Sequence, residues 1–347
     1  MTTTRRPVRL EELVVPVLAA PMAGGASTPR LVAAVGLAGG LGFLAAGYRS
    51  ATEAAEEIRR TEDLTDRPFG VNLFVPSAPG DTGAVAAYRQ LLVPEAERYG
   101  VRLPSDIPPD RDDWDAKIEA LLAHPVAAVS YTFGLPSPEE ARAVRAAGTL
   151  QIGTVTSIAE AASAAAAGMD ALCVQGPGAG GHRATHRVAD PPGRTPLPDL
   201  LAGIRAGTDL PLIAAGGLAD GPGIAAALRA GAVAVQLGTA YLRSDESGAP
   251  AAHRAALVDE RFAGTVVTRA FTGRPARALR NAFVDHYERH APAAYPAVHH
   301  LTRPLRAAAA GCGDTGTMHL WAGTGHRLAR TGPAAEITRD LWRSARA

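Results

Sequence analysis

A glycine-rich run that ends in a histidine is the part of this sequence best suited to chemistry. Residues 175–182 read QGPGAGGH, and the four glycines permit positive φ angles and close contact with a flat ligand. Histidine can take or give a proton near neutral pH without a large pKa shift, so His182 is a candidate catalytic base. A histidine on a surface loop is the competing interpretation of the same run.

Two short motifs suit an anionic group. They are Gly216-Gly217 and the run 236–239, QLGT. Adjacent glycines let backbone N–H groups approach a phosphate closely, and a helix beginning near Asp220 would point its positive end at the same place. Thr239 adds a hydroxyl donor. Alone, the glycine pair fits an ordinary tight turn equally well, but a second motif in the right place favours phosphate binding.

The elements that would position these motifs are short apolar runs that alternate with Ala-rich amphipathic stretches. We predict strands at 17–20, 41–46, 69–74, 127–133, 150–155, 171–176, 211–217 and 233–242. Their apolar character is nearly continuous, which is typical of parallel strands covered on both faces. Eight strands, each followed by a helix, predict an α/β fold of the (β/α)8 TIM-barrel type rather than an open sheet. In such barrels the site lies at the carboxyl ends of the strands, where the motifs fall.

Helices are predicted between the strands, several with a capping hydroxyl at the start, at 30–38, 52–61, 137–147, 157–167 and 220–230. An insertion at about 75–125 follows the third strand and should hold helices near 84–99 and 113–123. The alternation stops near residue 260. We therefore predict a barrel over 1–260 and a helical C-terminal lobe over 261–347 that covers the barrel mouth, its last helix packing back on the barrel.

Composition narrows the class of protein. The 347 residues are 47% hydrophobic and 20% charged, ordinary values for a globular chain, and the net charge of +1 provides no basic surface for nucleic acid. Cys173 and Cys312 are too few for a disulfide framework or metal knuckle, and the histidine spacing suggests no metal site. No apolar run reaches transmembrane length, and the N-terminal apolar patch is broken by prolines. These features predict a cytoplasmic enzyme without metal, nucleic-acid or membrane partners.

Several motifs together resemble one family. They are AAPMAGGASTPRLVAAVGLAGGLGFLAAGY, GVNLF, VSYTFGLP, QIGTV, GAGGH, AAGGLADG, VQLGTAYLRSDES, TRAFTGRPARALRN and WAGTG. In this order and spacing they resemble the nitronate monooxygenases, formerly called 2-nitropropane dioxygenases, and most closely the class I members. The resemblance runs from about residue 15 to 330.

The resemblance implies an FMN cofactor and His182 as catalytic base. Together with the motifs above, it gives the expected cofactor-binding residues as Ala20, Pro21, Met22, Asn72, Gln175, Gly180, Gly181, Gly216, Gly217, Gln236, Leu237, Gly238 and Thr239. Tyr295, His299 and Arg303 match substrate-binding positions where similar enzymes place two tyrosines and a lysine. Their four-residue spacing would put all three on one face of a helix. One position departs from the family, because Gly178 stands where a glutamate is usual.

The implied activity is oxidation of alkyl nitronates, such as propionate 3-nitronate, by O₂ to a carbonyl compound and nitrite. The small-molecule partners would be a nitronate or nitroalkane and O₂, and a homodimer is left open. Loss of the loop glutamate should weaken proton abstraction from neutral nitroalkanes more than oxidation of the nitronate. Two alternatives remain. One is an NAD(P)H-dependent flavin reductase of quinones or enoyl thioesters, and the other is a flavin-binding barrel without turnover.

Overall fold

Eight parallel strands form a closed barrel in the computed structural model, which describes residues 8–347. The barrel strands are β1 (Val17–Ala19), β2 (Leu41–Ala45), β3 (Gly70–Phe74), β4 (Ala128–Thr132), β5 (Leu150–Val155), β6 (Ala171–Gln175), β8 (Leu212–Ala215) and β9 (Ala234–Leu237). The short strand β7 (Gly181–His182) lies outside the barrel. Each pairs with the next, and β1 closes the barrel by pairing with β9 through Val17 and Val235. The predicted TIM barrel is confirmed.

Alternate residues along the strands fill two separate apolar layers. Leu18, Phe43 and Ile213 pack inside the barrel, whereas their neighbours along the strands pack outward against the helices. The strands are therefore buried on both faces, which explains their continuous apolar sequence. The last two strands end earlier than predicted. β8 stops before Gly216, whose φ is positive, and the chain after β9 turns into a short 3-10 helix at Thr239–Tyr241.

Most of the predicted helices around the barrel begin within one residue of where the sequence indicates, but the stretch predicted near 84–99 forms two helices, and the helix at Leu197–Arg205 was not predicted. Those of the barrel and the insertion are α1 (Pro29–Leu37), α2 (Ala51–Leu64), α3 (Thr82–Leu91), α4 (Val93–Tyr99), α5 (Trp114–Ala123), α6 (Pro138–Ala146), α7 (Ile158–Ala166), α8 (Leu197–Arg205) and α9 (Gly221–Arg229). Thr28, Ser137 and Ser157 cap α1, α6 and α7 by accepting a backbone hydrogen bond. The capping signals therefore gave the starts of these helices correctly.

The chain after β9 builds a lobe beside the barrel mouth. Its elements are α10 (Ala251–Ala256), β10 (Thr265–Thr268), β11 (Ala276–Leu279), α11 (Ala282–Tyr287) and α12 (Ala297–Gly311). Helices α3 and α4 of the insertion pack against α12. The strand β11 lies between β10 and a two-residue strand, β7 (Gly181–His182), in an antiparallel sheet. This sheet joins the glycine-rich loop to the lobe.

The last helix, α13 (Ala334–Arg346), lies in the outer ring between α9 and α1. It buries Ile337 and Leu341 against the barrel helices. In sequence, the lobe is thus inserted between the last barrel strand and the helix that completes the ring. Within residues 8–347, no helix has the length and apolar character needed to cross a membrane.

Candidate active site

A cavity of about 240 Å³ opens at the carboxyl ends of the barrel strands. His182 lies in its wall. The predicted cofactor residues that line it are Ala20, Pro21, Met22, Asn72, Gln175, Gly180, Gly181, Gly216, Gly217, Gln236, Gly238 and Thr239. Leu237 is the exception, because it does not line the cavity and its side chain packs in the outward core of the barrel.

The glycines at one end of the cavity form a cradle with no room for side chains. Gly216 and Gly217 have φ angles of 108° and 77°. A Cβ on Gly216 would lie 2.9 Å from the carbonyl oxygen of Gly176, and one on Gly217 would lie 2.8 Å from Oγ1 of Thr324. Glycine is required here for both backbone conformation and space. Such exposed backbone is what a phosphate group needs for close N–H contacts.

A segment near the end of the lobe closes this cradle from outside. The backbone N–H of Gly323 donates to Thr239 Oγ1 at 2.9 Å, and that of Thr324 donates to the Gly178 carbonyl at 3.0 Å. A Cβ on Gly178 would lie 2.7 Å from Thr324 Oγ1 and 3.1 Å from the Cα of Gly217. Gly178, which departs from the family pattern, is therefore needed for the fit of this segment.

The amides of Asn72 and Gln175 are fixed by the protein itself. Asn72 Nδ2 donates to Ser130 Oγ and Thr132 Oγ1, both at 2.9 Å, which leaves its carbonyl oxygen for a ligand. Gln175 Nε2 donates to the His182 carbonyl at 3.0 Å, and Gln175 Oε1 accepts from the N–H of Ala184 at 3.0 Å. Gln175 thus braces the loop that carries the histidine.

His182 is held by backbone pairing and by its ring. Its backbone pairs with Ala276 in β11, and its Nε2 lies 2.9 Å from the hydroxyl oxygen of Thr272. The ring stands edge-on to Phe133, with centroids 5.5 Å apart. Burial lowers the pKa of His182 to about 3, and the positive charges of Arg274 and Arg306 lower it further in the same direction. The imidazole is therefore neutral at physiological pH.

The Thr272 hydroxyl has two partners that bear on the tautomer of this imidazole. It lies 3.3 Å from the carbonyl oxygen of Arg274 and 2.9 Å from Nε2 of His182. A hydroxyl has a single proton, so when Thr272 donates to Arg274 it accepts from Nε2–H of His182. Nδ1 of His182 then carries the free lone pair and is the atom that can accept a proton from a ligand.

The segment 272–277, TGRPAR, braces the histidine loop from the lobe side. Arg274 donates to the carbonyl of Thr185 at 2.6 Å and to Ser77 Oγ at 3.0 Å. Arg277 donates to the carbonyl of Pro177 at 2.8 Å. Sequence reasoning singled out the motif TRAFTGRPARALRN but gave its residues no role, because these contacts join positions about 90 to 200 residues apart.

The three predicted substrate residues do not share one helical face, so that expectation is wrong. Helix α12 begins at Ala297, after Tyr295. Tyr295 is buried with its ring centroid 5.7 Å from that of His182, and the buried His299 stacks on Tyr48 at 3.9 Å. Arg303 is exposed. The guanidinium that contacts His299 belongs instead to Arg306, three positions further along the helix, where it is 5% exposed.

Sequence reasoning missed four aromatic residues in the cavity wall, namely Tyr48, Phe74, Phe133 and Trp321. Tyr48 and Phe133 have positive φ angles of 67° and 78°, which non-glycine residues seldom adopt. The backbone N–H of Tyr48 is held by Asp112 Oδ1, in the insertion, at 2.7 Å. Strained backbone of this kind is common at functional sites, but no local sequence signal marks it.

Known proteins resemble this chain over nearly its whole length. Residues 8–344 match the family model described as nitronate monooxygenase. A probable nitronate monooxygenase of Staphylococcus aureus (strain Newman) is 35% identical, over 98% of this chain and 97% of that protein.

Two solved structures are similar to this chain over nearly its whole length. A nitroalkane oxidase from Streptomyces ansochromogenes is 48% identical, with a TM-score of 0.93 and coverage of 97% of both chains. FabK from Thermotoga maritima is 27% identical, with a TM-score of 0.75, over 98% of this chain and 96% of that one.

Proposed function

This chain belongs to the nitronate monooxygenase family, and we propose that it is an FMN-dependent enzyme that oxidises alkyl nitronates with O₂ to a carbonyl compound and nitrite. The observation that carries the proposal is the neutral imidazole of His182 in the wall of a cavity that also contains the glycine cradle. The family and the Streptomyces relative support the oxidation reaction. The residues that line the cavity support FMN as the cofactor.

The cavity residues fit FMN. The cradle of Gly216, Gly217, Gly238 and Thr239 would hold the phosphate through backbone N–H groups and one hydroxyl. The loop Ala20–Met22 would pack on the ring system, and the carbonyl oxygen of Asn72 would accept a hydrogen bond from it. When bound, FMN supplies the electron-accepting chemistry of the reaction.

His182 contributes a proton acceptor at Nδ1. Because its pKa is lowered to about 3, the ring is in its accepting form throughout the neutral range. The same low pKa makes it a weak base, with little driving force for removing a proton from carbon. This combination favours a substrate that arrives already deprotonated, which is the nitronate rather than the neutral nitroalkane.

The aromatic wall orients the substrate and excludes water. Phe133 lies with its ring centroid 4.6 Å from that of Phe74, and Trp321 lies 5.5 Å from His182. A dry wall of this kind strengthens the electrostatic interactions of the substrate and limits side reactions with water.

A flavin reductase driven by NAD(P)H is the second candidate. It would use the same barrel and cofactor residues. The similarity to FabK, at 27% identity, is the observation that favours it. Residues 176–181, GPGAGG, have the GxGxxG spacing after β6, but they lead into β7 and not into a helix, so they do not form the dinucleotide-binding motif.

Anaerobic mixing of the purified, FMN-loaded protein with each electron donor separates the two candidates. The visible spectrum first establishes whether flavin is bound. We expect ethyl nitronate or propyl 2-nitronate to bleach the flavin bands and NADH or NADPH to leave them unchanged. Bleaching by a pyridine nucleotide but not by a nitronate would replace the proposed function with a reductase.

A further inference from the structure

Two arginines behind the cavity wall are buried without a compensating negative charge. Arg274 is 0% exposed and Arg306 is 5% exposed. Neither guanidinium has a carboxylate oxygen of residues 8–347 within 4.0 Å. The ion pairs of this part of the chain involve other cations. A buried unpaired charge is unfavourable, so a pair of them near one cavity calls for a function.

Neutral groups alone satisfy the two guanidinium groups. Arg274 donates to the Thr185 carbonyl and Ser77 hydroxyl, and its Nε has no partner. Arg306 donates to Thr302 Oγ1 at 3.0 Å and to the His299 carbonyl at 2.9 Å. Carbonyl and hydroxyl dipoles stabilise a cation locally but leave its full charge to act on the surroundings.

Each arginine is separated from the cavity by aromatic side chains. The guanidinium carbon of Arg274 lies 4.0 Å from the ring centre of Phe133, which lines the cavity. Arg306 contacts His299, and the His299 ring is stacked on Tyr48, another lining residue. Their positive potential therefore reaches the cavity through a thin, apolar layer in which charges are poorly screened.

The titratable neighbours of the cavity wall do not cancel this potential. Asp112, the carboxylate whose charge acts on Tyr48 and Tyr295, is paired with Lys117 at 2.8 Å. His182 and His299 both have lowered pKa values because of burial and nearby arginine charge, so both are neutral. Burial likewise raises the pKa values of Tyr48 and Tyr295, so both phenols stay protonated. Arg274 and Arg306 are the cations whose charge acts on the His182 ring, whereas the buried Arg183 donates to the carbonyls of Gln175 and Gly176.

Building on the proposed function, we infer that Arg274 and Arg306 form a buried pair of positive charges that makes this site select the anionic nitronate over the neutral nitroalkane. The two forms share a carbon skeleton and differ by one proton, so shape cannot separate them. Charge can, and an anion in the cavity would also compensate the two unpaired cations. These arginines are positioning residues that act through their field, without touching the reacting atoms.

The test measures binding of nitrate, a planar anion with the trigonal geometry of a nitronate head group, to the FMN-loaded protein by calorimetry at constant ionic strength. Neutral nitroethane is titrated in parallel. The variants are Arg274→Met and Arg306→Met, which remove the charge, and Arg274→Lys and Arg306→Lys, which retain it. Arg303→Met, on the exposed side of the helix that carries Arg306, is the matched comparison.

We expect each Met variant to lower the ratio of nitrate affinity to nitroethane affinity by roughly tenfold or more, and the Lys variants to keep most of that ratio. Equal loss of nitrate and nitroethane binding would overturn the inference, and so would a larger loss in Arg303→Met than in Arg306→Met. If the Met variants do not fold, the wild-type protein decides, because binding nitroethane as tightly as nitrate contradicts charge selection.

Nitrate binding requires no turnover. A protein that binds nitrate in this charge-dependent way but is not bleached by nitronates would disprove the proposed oxidation and leave the anion site standing. Bleaching by nitronates without charge-dependent nitrate binding would support the proposed oxidation and disprove the anion site.

Discussion

The Nε2 nitrogen of His182 lies 2.9 Å from the hydroxyl oxygen of Thr272, and this contact holds one edge of the imidazole ring. The contact joins a loop of the barrel to the lobe across 90 positions of sequence. It ties the tautomer and orientation of the imidazole to the docking of the lobe.

Replacing Thr272 with valine removes the hydroxyl that holds the imidazole and nearly preserves the shape of the side chain. We expect kcat/KM with a nitronate to fall about tenfold, in line with loss of one orienting hydrogen bond, with no change in FMN affinity. Thr272→Ser keeps the hydroxyl and should recover most of the rate. If serine and valine behave alike, the hydrogen bond has no part in positioning His182.

Replacing His182 with asparagine removes the proton acceptor but keeps a side chain that can hydrogen-bond. Turnover of a neutral nitroalkane should fall by roughly 10²–10⁴-fold, the usual contribution of a general base. Turnover of the preformed nitronate should fall less, because no proton need be removed from carbon. Steady-state rates with both substrates at matched FMN content give the answer, and an unchanged rate with the nitroalkane would remove His182 from this role.

Replacing Gly178 with alanine places a Cβ 2.7 Å from Thr324 Oγ1 and 3.1 Å from the backbone of Gly217. The cradle must then open, and the dissociation constant of FMN should rise about tenfold, since overpacking of this kind costs about 1–3 kcal/mol. Gly311→Ala, where a Cβ meets open space, is the control. FMN affinity is measured by fluorescence quenching. An affinity of Gly178→Ala equal to that of the wild type would show that the cradle has room for this Cβ.

Buried neutral histidines make the protein sensitive to acid. Burial lowers the pKa of His253 to about 4, and that of His299 lies well below its ordinary value. The unfolded chain binds protons near pH ~6.5, while these folded sites do not. Stability is therefore full above pH ~6.5 and is lost as pH falls below it, by about 1.4 kcal/mol per pH unit for each histidine.

The check is the melting temperature of His253→Asn between neutral and mildly acidic pH. Its decline on acidification should be shallower than that of the wild type, because one proton-binding site of the unfolded state has been removed. Replacement of the exposed His124 by glutamine should leave the wild-type slope unchanged. A parallel decline in wild type and His253→Asn would show that this histidine does not contribute to acid sensitivity.

Local patterns in the sequence determined the barrel. Short continuous apolar runs such as 69–74 are typical of parallel strands buried on both faces, and the capping residues Thr28 and Ser137 mark where helices start. The motifs at 175–182, 216–217 and 236–239 fall together at one end of the barrel because parallel strands place all their carboxyl ends on the same side. These inferences need only neighbours in sequence.

The tertiary structure alone decided how the lobe completes the site. Helical spacing suggested Arg303 as the substrate cation, but α12 starts after Tyr295 and turns Arg303 to the solvent and Arg306 to the interior. Thr272 and Arg274 reach His182 and the cavity wall through contacts between distant segments. Periodicity reports which face of an element is buried, whereas the partner that buries it depends on the packing of the whole chain.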